Sequence, residues 1–264
     1  MKSHGPRASG GYTVEALAKG LRVLALFSER RSSMRLTEIV ALTGMPMPTA
    51  FRLVATLEGE GYLERMPDGS VRPGAAVLTL GFAALRGLDL VETSSVILGE
   101  LFQTTQQTVN LGVRSFDRVV YIARLQSDTV LVTANVTVGS TLPAIVTSMG
   151  KVLLAFMPEA ELAQCITAAS FGGAWGPNAL RTMPALETEL ARVRAAGFAV
   201  QDEELASGLR SIAAPVRGND GRVVAAVNVA VPAREFTVND LRKRVREPLL
   251  AACAQISRRL GAPV

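Results

Sequence analysis

From Leu36 to Gly59 the chain runs LTEIVALTGMPMPTAFRLVATLEG. Leu36 to Leu42 has the length and apolar content of a short helix. Thr43-Gly44-Met45-Pro46 ends it, because Gly44 can take the left-handed backbone that closes a helix. A second helix starts near Pro48, whose missing N–H is not needed in a first turn, and runs to Gly59. Phe51, Leu53, Val54 and Leu57 form its apolar side. Upstream, Leu17, Leu21, Leu24 and Phe27 recur at helical spacing with Val23 and Leu26 beside them, which predicts a helix from Val14 to near Ser28. Downstream, Tyr62–Arg65 and Ser70–Pro73 flank Pro67-Asp68-Gly69, a turn between two short arms and so a small β-hairpin. Three short helices followed by a hairpin is the winged helix-turn-helix plan.

In that plan the helix after Gly44 can lie in a major groove with its first turns toward base edges. The candidate contacts are Met47, Thr49 and Arg52 on that helix. Arg65 and Arg72, flanking the hairpin turn, suit phosphate contacts. Residues 1–75 hold ten Lys/Arg against seven Asp/Glu, net +3, out of +5 for the whole chain. The positive excess is densest where phosphates would be met. A protein-interaction module is the other use of the same pattern.

The remaining chain excludes several classes. Of 264 residues, 48% are hydrophobic and 19% charged, enough apolar surface for a core. No apolar run reaches the roughly 18 residues of a membrane helix. The first eleven residues carry no hydrophobic region, so a cytoplasmic protein without a signal peptide is expected. Cys165 and Cys253 lack metal-type spacing. The one histidine, His4, lies in a Gly/Ser/Pro-rich tail, so no histidine-based triad or metal site is expected in the body. No metal and no cofactor are expected. Residues 75–89 are Ala/Leu-rich and predict a linker helix, a plausible dimer-forming segment. Beyond Leu90, helices are expected at 91–105, 148–157, 158–168, 183–196 and 238–260, and strands at 109–113, 119–125, 130–134, 197–201, 211–216 and 223–229. Thr147 to Gly150 opens one of these helices, where free amides and the helix dipole favour a carboxylate.

Several of these stretches resemble one family. Val14-Glu15-Ala16-Leu17-Ala18-Lys19-Gly20-Leu21, Leu36-Thr37-Glu38-Ile39 and Arg52-Leu53-Val54-Ala55-Thr56-Leu57-Glu58-Gly59 are similar to the DNA-binding part of IclR-type transcriptional regulators. Thr147-Ser148-Met149-Gly150-Lys151, Asp202-Glu203-Glu204 and Gly208-Leu209-Arg210-Ser211-Ile212-Ala213-Ala214-Pro215 resemble that family's effector-binding domain. The match spans about residues 13–260 and looks most like the branch regulating protocatechuate and 4-hydroxybenzoate breakdown. It departs from the common pattern at Met47, Pro48 and Ile145.

The resemblance implies an α+β chain. A winged helix-turn-helix domain would cover 13–74, a linker helix 75–89, and a GAF-like antiparallel-sheet domain with one small-molecule pocket 90–264. By resemblance the effector contacts are Leu131, Ala134, Leu142, Ser148, Met149, Gln201, Ser211, Asn228 and Ala230. Ser211 and Asn228 would hydrogen-bond a ligand oxygen, and Gln201 stands where some relatives carry a carboxylate. The expected partners are an operator duplex, a small carboxylate effector of aromatic type, and a second or further copy of the chain as homodimer or homotetramer. A small aliphatic keto- or sugar-derived acid is the alternative effector. An enzyme built on Lys151, Asp202 and Glu203 with a protein-binding winged helix is the alternative of another class. Arg210 and Glu203 are expected to form an ion pair at the pocket rim.

Overall fold

The computed structural model describes residues 13–28, 31–86, 90–127 and 136–263, with the backbone alone at 82 and 84–86. The chain forms two compact units that divide between Leu88 and Asp89.

The first unit runs α1 (Glu15–Leu24), α2 (Leu36–Thr43), α3 (Met47–Gly59), β1 (Leu63–Arg65), β2 (Val71–Pro73) and α4 (Ala75–Arg86). At the start of α2 the Glu38 carboxylate accepts the Arg35 backbone N–H at 2.7 Å, filling one of the donors a helix start leaves open. Gly44 closes α2 in the left-handed region, φ +68°, and Pro48 lies in the first turn of α3. Val23, Met34, Ile39, Met45, Val54, Leu63 and Val71 form the core; burial of each such side chain contributes roughly 1.5–3 kcal/mol. Met34 and Val71 exchange backbone hydrogen bonds at 2.9 and 2.8 Å, which ties the approach to α2 onto the hairpin.

The expected apolar faces of α1 and α3 are displaced in phase. On α1 the buried positions are Gly20 and Val23, while Leu17 and Leu21 are more than half exposed. On α3 they are Ala50 and Val54, and Phe51 is 56% exposed. In both helices a small residue and a valine face inward, while Leu17, Leu21 and Phe51 turn outward. The described part of the expected linker helix is α4; residues 87–89 lie outside the described residues.

The second unit contains α5 (Leu90–Thr105), β3 (Thr108–Ser115), β4 (Arg118–Leu125), β5 (Thr141–Pro143), α6 (Ser148–Ala155), α7 (Glu159–Cys165), α8 (Met183–Ala196), β6 (Ala199–Asp202), β7 (Leu209–Arg217) and β8 (Val223–Pro232). A single turn α9 (Val238–Asp240), a π turn over Leu241–Val245 and α10 (Arg246–Arg259) complete it. The described strands form one antiparallel sheet in the order β5-β4-β3-β8-β7-β6. The expected strand at 130–134 lies outside the described residues. The terminal helix is interrupted by the π turn instead of running unbroken from 238. β5 was not anticipated, because three residues are too few to show a period of two.

Strand alternation sends Ser211 and Ala213 to one face and Ile212 and Ala214 to the other. α6 packs on the first face with α8 behind it, and Met149, Val152, Leu153 and Leu154 join Ala213 and Ala226 in one cluster. α5 and α10 pack against the same strands from the other side.

Candidate functional site

Arg124, Asn110 and Asn228 stand opposite one another in the register of β4, β3 and β8. One step along, Thr108, Ala230, Ser211 and Gln201 align across β3, β8, β7 and β6. Both rows face the α6 side and floor a small hollow of about 30 Å³. Tyr121, Val136, Leu142, Val146, Thr147, Leu205 and Leu209 complete its wall. In a regular strand Tyr121 and Arg124, three residues apart, would face opposite sides. A bulge at Leu111/Gly112, where Leu111 faces Ala123 and Gly112 faces Tyr121, brings both to the hollow.

The hollow is apolar with a polar floor. The Arg124 guanidinium donates to Asn110 Oδ1 at 2.8 Å, and Asn110 Nδ2 donates to Asn228 Oδ1 at 2.7 Å. Among the described residues no carboxylate lies within ion-pair distance of Arg124. Burial pulls its pKa below the usual arginine value, but guanidinium remains charged at any ordinary pH. Burial also pushes the Tyr121 phenol well above its usual range, so it stays neutral. Gln201 is 1% exposed. Its Oε1 faces the Ser211 hydroxyl at 3.5 Å, and its Nε2 has no partner among the described residues. A buried donor left so costs about 1–3 kcal/mol.

Of the nine sequence-predicted effector residues, Leu142, Gln201, Ser211, Asn228 and Ala230 line the hollow. Ser148 lies beneath it, its hydroxyl 2.7 Å from that of Ser211. Met149 is fully buried in the core against Gly112. Leu131 and Ala134 lie outside the described residues. Residue patterns missed Asn110, Tyr121 and Arg124. A polar residue inside an apolar strand, as at Asn110, was the one signal available.

The start of α6 is not an open cradle of amides. Thr147 caps it, Oγ1 accepting the Gly150 N–H at 3.2 Å. Gly150 itself lies against the Ala144 backbone, so closely that a Cβ there would collide with it. Lys151, 1% exposed, is spent inside the fold: Nζ reaches Glu204 at 2.5 Å, Glu189 at 3.3 Å and the Val200 carbonyl at 2.6 Å. It does not pair with Asp202 or Glu203, which instead hold Arg210 at 2.6 and 3.3 Å. Arg210 also donates to the Ala233 and Phe236 carbonyls, fixing the rim.

In the first unit, Met47 and Arg52 are exposed on α3 and Thr49 is half-buried. Phe51 shares the outer side with them. Arg65 pairs with Glu58 at 2.7 Å and Arg72 with Glu64 at 2.9 Å. Both are exposed pairs, each contributing well under about 1 kcal/mol, so neither arginine is firmly committed. Arg52 and Thr49 border a groove that Leu17, Leu21, Leu53, Val77 and Leu80 also line.

The family model for the IclR helix-turn-helix domain matches residues 16–67, and that for the bacterial transcriptional regulator IclR C-terminal region matches 82–258. The chain is 34% identical to the Pca regulon regulatory protein of Pseudomonas putida, covering 93% of this chain and 84% of that one. It is 30% identical to the HTH-type transcriptional regulator XynR of Escherichia coli (strain K12), over 95% and 98%. Among solved structures it is similar to an IclR homolog from Microbacterium hydrocarbonoxydans complexed with 4-hydroxybenzoate. The TM-score is 0.75 at 26% identity, over 93% and 99% of the two chains.

Proposed function

The chain belongs to the IclR family of bacterial transcriptional regulators, and from that premise we propose that it binds an operator duplex through α3 and responds to a small organic acid held in the hollow of the second unit. The observation that carries the ligand class is Arg124, a half-buried cation facing an apolar hollow with no carboxylate within ion-pair distance among the described residues. A charge in that setting is compensated by an anionic guest. The relatives in the Pca regulon and in complex with 4-hydroxybenzoate favour an aromatic acid and control of a catabolic operon.

On the DNA side, Arg52 is exposed where a groove-docked helix presents its first turns. Met47 and Thr49 flank it, and Arg65 and Arg72 reach phosphates from the hairpin by giving up their weak surface pairs. Two half-sites require two copies of the helix. The exposed Leu17 and Leu21 on α1 and Leu78 and Leu80 on α4 supply an apolar face on which a homodimer, or a homotetramer built from it, would close. Such a protein works in the cytoplasm.

A thermal-shift panel of aromatic and aliphatic acids, read beside a gel shift on DNA upstream of the neighbouring genes, tests the proposal. Aromatic carboxylates are expected to raise the melting temperature and to alter the shifted band. Stabilisation by keto- or sugar-derived acids alone would replace the aromatic class. Absence of sequence-specific DNA binding by folded protein at moderate salt would remove the regulatory reading.

A further inference from the structure

The loop between β6 and β7, residues 203–208, carries one buried side chain, Glu204, 6% exposed. Its Oε1 meets Lys151 Nζ of α6 at 2.5 Å, and its Oε2 has no partner among the described residues. A carboxylate drawn out of water with one oxygen unmet is costly to hold. The backbone beside it adds a cost of its own, because Glu203 sits at φ +52°, in the left-handed region that a side chain disfavours. The loop is nevertheless fastened from a second side. Gly176 donates its N–H to the Glu204 carbonyl at 2.9 Å, and passes so close to the Glu203 carbonyl that a Cβ there would collide with it. Asn178 Nδ2 donates to the Asp202 carbonyl at 3.0 Å. Segment 173–178 thus lies across the loop. The loop also bounds the hollow: Leu205, next to Glu204, and Leu209, just past the loop, form part of its wall. We infer that residues 203–208 are a latched strap, in which the Lys151–Glu204 ion pair holds Leu205 against the hollow, and whose release opens the strap and segment 173–178 together while the sheet stays folded.

The latch is separable from the rest of the fold because Lys151 does not depend on Glu204 alone. Glu189 on α8 lies 3.3 Å from Nζ and the Val200 carbonyl 2.6 Å, so the ammonium keeps a carboxylate and a carbonyl when Glu204 is removed. Loss of Glu204 therefore frees the strap without leaving a bare buried cation. Loss of Glu189 takes a carboxylate from the same ammonium and leaves the strap fastened. Were the pair only to hold the unit together, the two carboxylates would be interchangeable; a latch makes them unequal. Opening also returns the Glu204 carboxylate to water and relaxes Glu203, which is why so few contacts decide the balance. Glu204 acts on the hollow through Leu205 and is a positioning residue.

Hydrogen exchange on the full-length protein, read beside acrylamide quenching of Trp175, tests the strap. Trp175 is the single tryptophan of the sequence; it lies in segment 173–178 and packs on the core with its indole N–H buried. In Glu204→Ala, exchange over 173–178 and 202–209 is expected to rise together by about tenfold or more, with β8 and α10 unchanged and Trp175 quenched more readily. Glu189→Gln is expected to leave both readouts near those of the unaltered protein. If Glu204→Ala does not fold, Glu204→Gln, which keeps the shape and loses the charge, is set against Glu189→Gln in the same way. Equal responses of the two positions, unchanged exchange over 202–209, or a rise spread evenly over β8 and α10 would overturn the strap. Its consequence for binding rests on the acid-binding reading above. A ligand that needs the closed wall must first close it, so calorimetry with 4-hydroxybenzoate and with pyruvate is expected to show affinity about tenfold weaker in Glu204→Ala and nearly unchanged in Glu189→Gln. Undiminished affinity with the strap open would overturn its role in shaping the hollow. Failure of both acids to bind the unaltered protein would overturn the acid-binding reading alone, since exchange is read without ligand.

Discussion

Arg52 is the side chain on α3 with the reach and exposure to touch DNA, and its role divides on one measurement. If it reads a base edge, Arg52→Ala is expected to cost about 1–3 kcal/mol on the operator and little on unrelated duplex. If it touches phosphate, the loss is equal on both and the dependence of log affinity on log salt falls by about one. Fluorescence anisotropy over a salt series reports both. Lys151 poses the opposite question, since its charge serves packing. Glu204 and Glu189 share this one buried ammonium, and burial pushes the Glu204 carboxyl above its ordinary range against the pull of Lys151. Lys151→Met removes that pull and leaves carboxylates buried, an expected loss of about 3–5 kcal/mol at neutral pH. A carboxyl raised in the folded state favours folding where it is protonated and opposes it as pH climbs. Urea denaturation from pH 4.5 to 7.5 should therefore show the variant's deficit widening with pH; a constant deficit would mean that Glu204 ionises in the folded variant as readily as in the wild type.

At the scale of elements, α6 shows how local chemistry positions a site without forming it. Thr147 caps the helix, Ser148 props Ser211 from below, Met149 fills the core and Lys151 clamps the turn carrying Glu204. Thr147→Ala is expected to lower stability by about 1 kcal/mol, measured by chemical denaturation. Acid binding should weaken only modestly, because Thr147 borders the hollow without presenting an anion site; a tenfold loss would restore the α6 start as part of the binding machinery. The helix-turn-helix was legible because its signals lie within a few residues: Gly44 in the left-handed region, Pro48 in a first turn, Asp68-Gly69 in the hairpin. Helix phase was less so. Leu17, Leu21 and Phe51 carry the period of an amphipathic face, but which side of a short helix meets its neighbour is set by tertiary packing. Here the sides carrying Gly20 and Ala50 turn inward.

For the whole molecule, ligand and DNA binding are linked to stability by mass action. An acid at one hundred times its dissociation constant should stabilise the folded chain by about 2.7 kcal/mol if it binds only the folded state. Denaturant titrations with and without saturating acid check this, and a concentration-independent stability would show that the acid is not bound. By itself the sequence determined most of the elements, the winged helix-turn-helix and the exposed position of Arg52, because helix stops, turns and alternation are written in near neighbours. Likeness to a family also pointed to Gln201, Ser211 and Asn228, which line the hollow. Only the tertiary structure decided which cation faces the hollow. Arg124 reaches the hollow because β4 pairs with β3 and a bulge turns it to the same face as Tyr121. That pairing joins residues far apart in the chain, and no local pattern encodes a one-residue offset between two strands.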